Sequence, residues 1–189
     1  RRRAPRYDWD HVTPTTFGEH NLLVKRLNLE DLVEKIDWTP FFHFWGFKGK
    51  YPEIIYTNDE ADRTYQAALD MLGKVIAGNE FDASIIVRFF DAYSENEDIV
   101  LDGQHRFTMP RQQTDLEECL SLADFVIPKE KGIGSVGLFC LKVKDDHQCN
   151  DCHDFEHLLR ESLCARLAEA CAEWMQEKIN EGTHVIRPA

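Results

Sequence analysis

The stretch DFEHLLRESLCARLAEACAEWMQEKI, Asp154 to Ile179, is the longest segment of the chain with one unbroken period. Phe155, Leu158, Leu159, Leu163, Leu167, Cys171 and Trp174 recur at three- and four-residue steps, which places them on one face of an α-helix. No Gly or Pro interrupts it, and Glu, Arg, Gln and Lys fill much of the remaining surface. Such residues favour helix even where packing does not decide. A helix of this length needs a broad apolar partner, and the segments before it supply one.

Working back from Asp154, GSVGLFCLKV (134–143) and LADFVIPK (122–129) read as strands. EDIVLDGQHRFTM (97–109) reads as a hairpin turning at Asp102-Gly103, a pair suited to positive φ. SIIVRFFDAY (84–93) is apolar enough for a buried strand. Asp59 to Ala77 carries a second helical stripe, Ala61, Tyr65, Ala68, Leu69, Leu72, Val75 and Ile76, ended by Gly78. IDWTPFFHFWGFKGKYPEI (36–54) is open: Pro40 after Thr39 suits a helix start, while the aromatic density suits a buried strand. LEDLVEKI (29–36) is a short helix with Asn28 placed to cap it, and NLLVKRLNL (21–29) is a strand. Helices and locally pairing strands are mixed without strict alternation. The expected fold class is α+β, a mainly antiparallel sheet packed with helices, including one long C-terminal helix. It is expected to form a single domain over 1–189, truncated or part of a larger chain.

The chain has 189 residues and a net charge of −12, with 34 acidic against 22 basic side chains. That balance argues against nucleic acid as a partner, since phosphate contacts need a positive surface. No apolar run approaches the roughly 20 residues of a membrane span, and no secretory leader is visible. Cys119, Cys140, Cys164 and Cys171 sit among apolar residues at irregular spacing, as reduced core thiols do. A cytoplasmic, non-membrane protein is expected. There is no GxGxxG after a strand, no GxxxxGK[ST] and no GxSxG.

One local motif competes for attention. In HQCNDCHDFEH (147–157), two thiols and three imidazoles fall within eleven residues. Cys149, Cys152 and His153 spell the attachment signature of a c-type haem. The same cysteines with His153 or His157 could hold zinc. The residue pattern favours neither over an exposed loop carrying two oxidisable thiols at a helix start, so no metal is expected.

Four separated stretches occur in an order that goes beyond fold class: IDWTPFF (36–42), PRQQT with LADFVIPK (110–129), RLAEACAEWMQEKI (166–179) and IRPA (186–189). Together they resemble the C-terminal activation domain of cobalamin-dependent methionine synthase, from about Tyr7 to the last residue. The resemblance implies a module that binds S-adenosylmethionine and supports reductive methylation of inactive cob(II)alamin to methylcobalamin. It implies cobalamin held by a partner domain, the cobalamin-binding domain of methionine synthase, and a flavodoxin-like electron donor. The chain would then act as part of a methyltransferase, lacking homocysteine, folate and cobalamin sites of its own. No catalytic side chain is implied, because a sulfonium methyl leaves a neutral thioether and needs only to be aimed.

The family's ligand contacts carry over residue by residue. An Asp followed by Trp near the domain start places one on Asp8. The first Glu of RLAEA is Glu169. A Glu six residues before the Arg of the RPA segment is Glu181. Arg187 would pair with the ligand carboxylate, and the Ala189 backbone would meet the adenosine. The Gly-Tyr-Pro that follows RPA in the family falls beyond Ala189, and the connection from the long helix to RPA is shorter here. Alternatives to the methyltransferase module are a stand-alone S-adenosylmethionine-binding or regulatory protein of the same fold and a Cys/His metal-binding redox protein.

Overall fold

The computed structural model describes residues 8–11, 22–114, 118–146 and 154–182. Strand β1 (Leu22–Leu27) is followed by three short helices, α1 (Glu30–Val33), α2 (Thr39–Phe44) and α3 (Glu53–Thr57), and by the long α4 (Asp59–Gly78). Then come β2 (Phe81–Glu95), β3 (Asp98–Leu101), β4 (His105–Thr108), a 3-10 turn at Leu122–Phe125, β5 (Gly134–Asp145) and α5 (Phe155–Gly182). The sheet runs β1-β2-β3-β4, and β5 also pairs with β2. The pairs β2–β3 and β3–β4 are antiparallel. The expected α+β class and the long C-terminal helix are both present. The chain divides into two compact units, one centred on Val87–Phe139, the other on Val24–Ile86 and Cys140–Ile179.

In the first unit two tight turns set the register. Glu95 faces Asp98 across Asn96-Glu97, with Asn96 at φ 59°. Leu101 faces His105, so the chain reverses through Asp102 (φ 49°) and Gly103 (φ 67°), where the sequence placed the hairpin. Asn and Asp tolerate this left-handed backbone better than other side-chain-bearing residues. The small core joins Ala92, Ile99, Leu101 and Ala123 to Phe90, Met109, Val126 and Val136.

LADFVIPK corrects a sequence expectation. Its first four residues form a 3-10 turn instead of a strand. The Ser121 hydroxyl accepts the Ala123 N–H (3.2 Å), and the Asp124 carboxylate accepts the Ser121 N–H (2.8 Å). This is a capping box, and the Ser-x-x-Asp spacing that makes it stands in the sequence. The strand character survives only beyond it, where Ser94 N–H donates to Ile127 (2.8 Å) and Lys129 N–H donates back to Ser94 (3.0 Å).

In the second unit, α4 starts where Asn58 Oδ1 accepts the N–H groups of Glu60 (3.0 Å) and Ala61 (3.1 Å). It ends with Asn79 in the left-handed region as its cap, one residue beyond the Gly78 expected from the sequence. Of its apolar stripe, Ala61, Tyr65, Ala68, Leu72 and Val75 are buried, joined by Met71, while Leu69 is exposed. The aromatic segment is helical: Pro40 sits in the first turn of α2, and Phe41 and Phe42 are fully buried. Trp38 meets Phe41 and Tyr65 edge-on at 5.4 and 4.9 Å. Odd positions Phe81, Ala83 and Ile85 of β2 face the same core, as a half-buried strand requires. Helix α5 buries Leu159, Leu163, Leu167, Ala170, Cys171 and Trp174, leaving Phe155 and Leu158 of its predicted face exposed.

Arg160 ties α5 to the strands of this unit. Its guanidinium donates twice to Asp145 (both 2.7 Å), pairs with Glu80 (2.8 Å) and lies over the Phe81 ring (5.1 Å). Hydrogen bonds to Asp145 outweigh its burial and keep the guanidinium firmly charged. At the other end of the helix, Lys35 just after α1 donates to Glu177.

Candidate functional site

Glu169 lies on the exposed side of α5, between the buried Leu167 and Ala170 in sequence. Arg166, three positions earlier, donates to both carboxylate oxygens at 2.5 and 2.7 Å. The two partners differ in environment: the Arg166 side chain is 12% exposed and that of Glu169 is 57% exposed. The carboxylate is therefore open to a ligand while its position is held from within. An ordinary solvated helix Glu would be equally exposed but would lack this anchoring.

Asp8 belongs to the first unit. It is exposed, and its carboxylate accepts the Asp10 N–H (3.2 Å) at the start of a 3-10 turn over Trp9–His11. Asp10 in turn pairs with Lys131 (2.6 Å). Glu181 falls in the last turn of α5, with its side chain outside the described residues, as are Arg187 and Ala189. Thus the described residues place Asp8 and Glu169 in separate units and leave the remaining three predicted contacts open.

The sequence contains a second Asp-Trp pair, Asp37-Trp38. Trp38 is buried against Tyr65, and the exposed Asp37 accepts the Thr39 N–H (2.9 Å), opening α2. Asp37 and Glu169 belong to the same unit. The dipeptide used to choose Asp8 thus occurs twice, the second time with its Trp packed into an aromatic core.

A cleft of about 340 Å³ in the first unit is lined by Trp9, Ser94, Asn96, Asp124 and Glu130 among others. Its acidic groups are largely engaged. Arg111 forks onto Asp124 (2.5 and 2.7 Å) and also donates to the Cys119 carbonyl (2.6 Å). Glu95 is held below the usual carboxylate range by hydrogen bonds from Arg106 and Lys129. These pairs build the loop more than they open a site.

Cys149, Cys152 and His153 lie outside the described residues. Among the described residues, no group of three or more His, Cys, Asp and Glu could hold a metal ion, and no helix is long and apolar enough to cross a membrane. His157 is half-buried, with its backbone N–H bonded to Asp154 (2.9 Å) at the helix start. His43, in the aromatic segment, is exposed.

An α+β domain with a five-stranded sheet and a long C-terminal helix, presenting an anchored carboxylate on that helix, fits a ligand-holding module. Residues 28–185 match the model of the vitamin B12-dependent methionine synthase activation domain, and the chain belongs to that family. A crystal structure of the MetH reactivation domain bound to AdoHcy is similar to it, with a TM-score of 0.74 and 29% sequence identity. The similarity covers 93% of this chain and 60% of that one, so the chain spans little more than half the length of the structure it matches.

Proposed function

We propose that this chain is an S-adenosylmethionine-binding activation module that supports reductive methylation of cobalamin in a methionine synthase. The observation that carries the reading is the family match over residues 28–185, joined to a structural neighbour that holds AdoHcy. AdoHcy is S-adenosylmethionine without its transferred methyl, so a fold that holds one has the shape to hold the other. Cobalamin, bound by its own domain, supplies the methyl acceptor, and a flavodoxin-like protein supplies the electron. Both partners, and the cytoplasm as the compartment, are part of the same proposal.

This chain's own residues would bind and aim the donor. The ligand offers an ammonium, a carboxylate, a positive sulfur and an adenine. Glu169 is suited to the cationic part, since an ionised carboxylate accepts charge-assisted hydrogen bonds about twice as strong as neutral ones. Arg187 is assigned to the ligand carboxylate, Glu181 to a second polar contact and the Ala189 backbone to the adenosine. For the Asp of the Asp-Trp pair, Asp37 is preferred over Asp8, because it belongs to the same unit as Glu169. No general acid or base is required: the leaving thioether is neutral, and orientation lowers the barrier.

Calorimetric titration with S-adenosylmethionine tests the reading. Saturable binding is expected, with S-adenosylhomocysteine bound comparably or more weakly. Absence of heat up to millimolar ligand, with this chain and with a form of it extended by the family's Gly-Tyr-Pro segment, would overturn it.

A further inference from the structure

We propose that Arg166 is a positioning residue for Glu169: its guanidinium fork fixes the carboxylate and offsets its charge, so that Glu169 meets a cationic ligand group through directed hydrogen bonds. The inference rests on the reading of Glu169 as a ligand contact given above.

The geometry is specific. Arg166 Nη1 and Nη2 each reach a different oxygen of Glu169, at 2.5 and 2.7 Å. A typical exposed pair at this spacing has two loose ends and contributes only a few tenths of a kcal/mol. Here the Arg side chain is 12% exposed and the Glu side chain 57%. One partner is packed and the other projects. A carboxylate offers about four acceptor directions. The fork takes one on each oxygen and leaves one on each for a ligand. A free Glu would lose its rotamer freedom on meeting the ligand; here the fork has removed most of that freedom beforehand, which is how a preorganised contact gains affinity. The charge consequence is equally direct. With Arg166 in place the pair is neutral as a unit, so attraction at a distance is weak and selectivity depends on hydrogen-bond direction. Without it, Glu169 becomes an uncompensated and mobile negative charge.

The test is calorimetric titration of the full chain with S-adenosylmethionine, at low and high salt. It compares the parent with Glu169→Gln, Arg166→Gln, Arg166→Lys and the double variant Arg166→Gln/Glu169→Gln. Arg166→Gln is expected to weaken binding by about tenfold, the scale of one charge-assisted contact. Arg166→Lys recovers only part, because an ammonium cannot engage both oxygens. The double variant is expected to bind no more weakly than Glu169→Gln alone. The affinity of Arg166→Gln should also fall more steeply with salt than the parent's, since a bare exposed charge is screened and a neutral pair is not. A residue that only stabilised the helix would leave that salt dependence unchanged. Arg166 variants that bind within twofold of the parent while Glu169→Gln is weakened would overturn the proposal, as would losses that add in the double variant. An unchanged affinity in Glu169→Gln would overturn the ligand role of Glu169 itself, and this proposal with it. Circular dichroism and melting report the fold. If Arg166→Gln does not fold, Arg166→Lys decides: a weaker, more salt-sensitive affinity supports the proposal, and parental behaviour overturns it.

Discussion

Asp8 and Asp37 present the same dipeptide to the same question, and a pair of isosteric changes separates them. Each carboxylate accepts a nearby backbone N–H, from Asp10 and Thr39 respectively. Asn at either place keeps that acceptor and removes only the charge, so the fold should survive both changes. A hydrogen bond to a charged group contributes about 1.5–3 kcal/mol. Asp37→Asn is therefore expected to weaken S-adenosylmethionine binding by about tenfold or more, and Asp8→Asn to leave it within twofold. Calorimetry giving the reverse order would return the contact to Asp8. On the proposed assignment of the ligand carboxylate, Arg187 is the more sensitive site. Losing one partner of a desolvated charge pair costs roughly 2–5 kcal/mol. Arg187→Ala should thus weaken binding by about 30-fold or more at roughly 1.4 kcal/mol per tenfold, and Arg187→Lys should recover little because the planar fork is gone. An Arg187→Ala protein that retains its circular dichroism and binds within twofold of the parent would place the ligand carboxylate elsewhere. The limit of sequence reading at this scale is plain. A dipeptide or a single Glu specifies chemistry but not surroundings. Only the structure shows that Glu169 is forked by Arg166 and that Trp38 is packed into an aromatic core.

Helix α5 is held by the polar knot at Arg160 and by a line of apolar residues, and the two respond differently to change. Arg160 is nearly buried, while Asp145 and Glu80 are partly exposed, at 25% and 38%. Arg160→Met would leave two carboxylates facing each other without a cation. Breaking a fully buried pair costs about 3–5 kcal/mol; with these partners partly in water, roughly 2–3 kcal/mol is expected. For a chain of this size that lowers the melting temperature by about 5–10 °C, readable by calorimetry or dichroism. The same helix carries two shielded thiols. Burial pushes Cys164 up to about 12 and Cys171 up to about 11. Both remain protonated and slow to alkylate at pH 8 in the folded state, whereas the exposed Cys140 should react readily. Because their folded pKa values lie above the unfolded ones, the stability they contribute is intact at neutral pH and is lost as pH rises from about 9 toward 12. Mass spectrometry after a timed alkylation, and melts across that range, check both statements. Elements of this kind were readable because their signal repeats: α4, α5, β2 and the β3–β4 hairpin follow period and turn chemistry alone. The Leu122–Phe125 turn escaped because its apolar letters suggest a strand, while one capping box decides the backbone. The aromatic stretch of α2 could not be assigned for a related reason, since Phe and Trp bury themselves in either geometry.

At the scale of the whole molecule, charge and chemistry combine. A net charge of −12 disfavours polyanionic partners and suits a ligand bearing an ammonium and a sulfonium. The order of four separated motifs made the family legible, and the match over residues 28–185 places the chain in it. The ligand geometry was less legible, because its contacts are spread along the chain as single residues whose surroundings the letters do not encode. The proposed division of labour makes a prediction at this scale. Ordinary turnover with methyltetrahydrofolate does not use an S-adenosylmethionine site, whereas recovery of oxidised enzyme does. In a methionine synthase that carries this module, Arg187→Ala should therefore leave the initial methyl transfer from methyltetrahydrofolate to homocysteine at the parental rate. Recovery of activity after oxidation should be slow at low S-adenosylmethionine and should approach the parental rate when the donor is raised by about the factor lost in affinity, some 30-fold or more. Rescue by ligand concentration is the deciding feature, because a variant damaged in its fold or its docking would not recover with donor alone. Equal loss of both activities, or reactivation that stays depressed at saturating donor, would mean that Arg187 serves the assembly of the enzyme instead of the binding of its methyl donor.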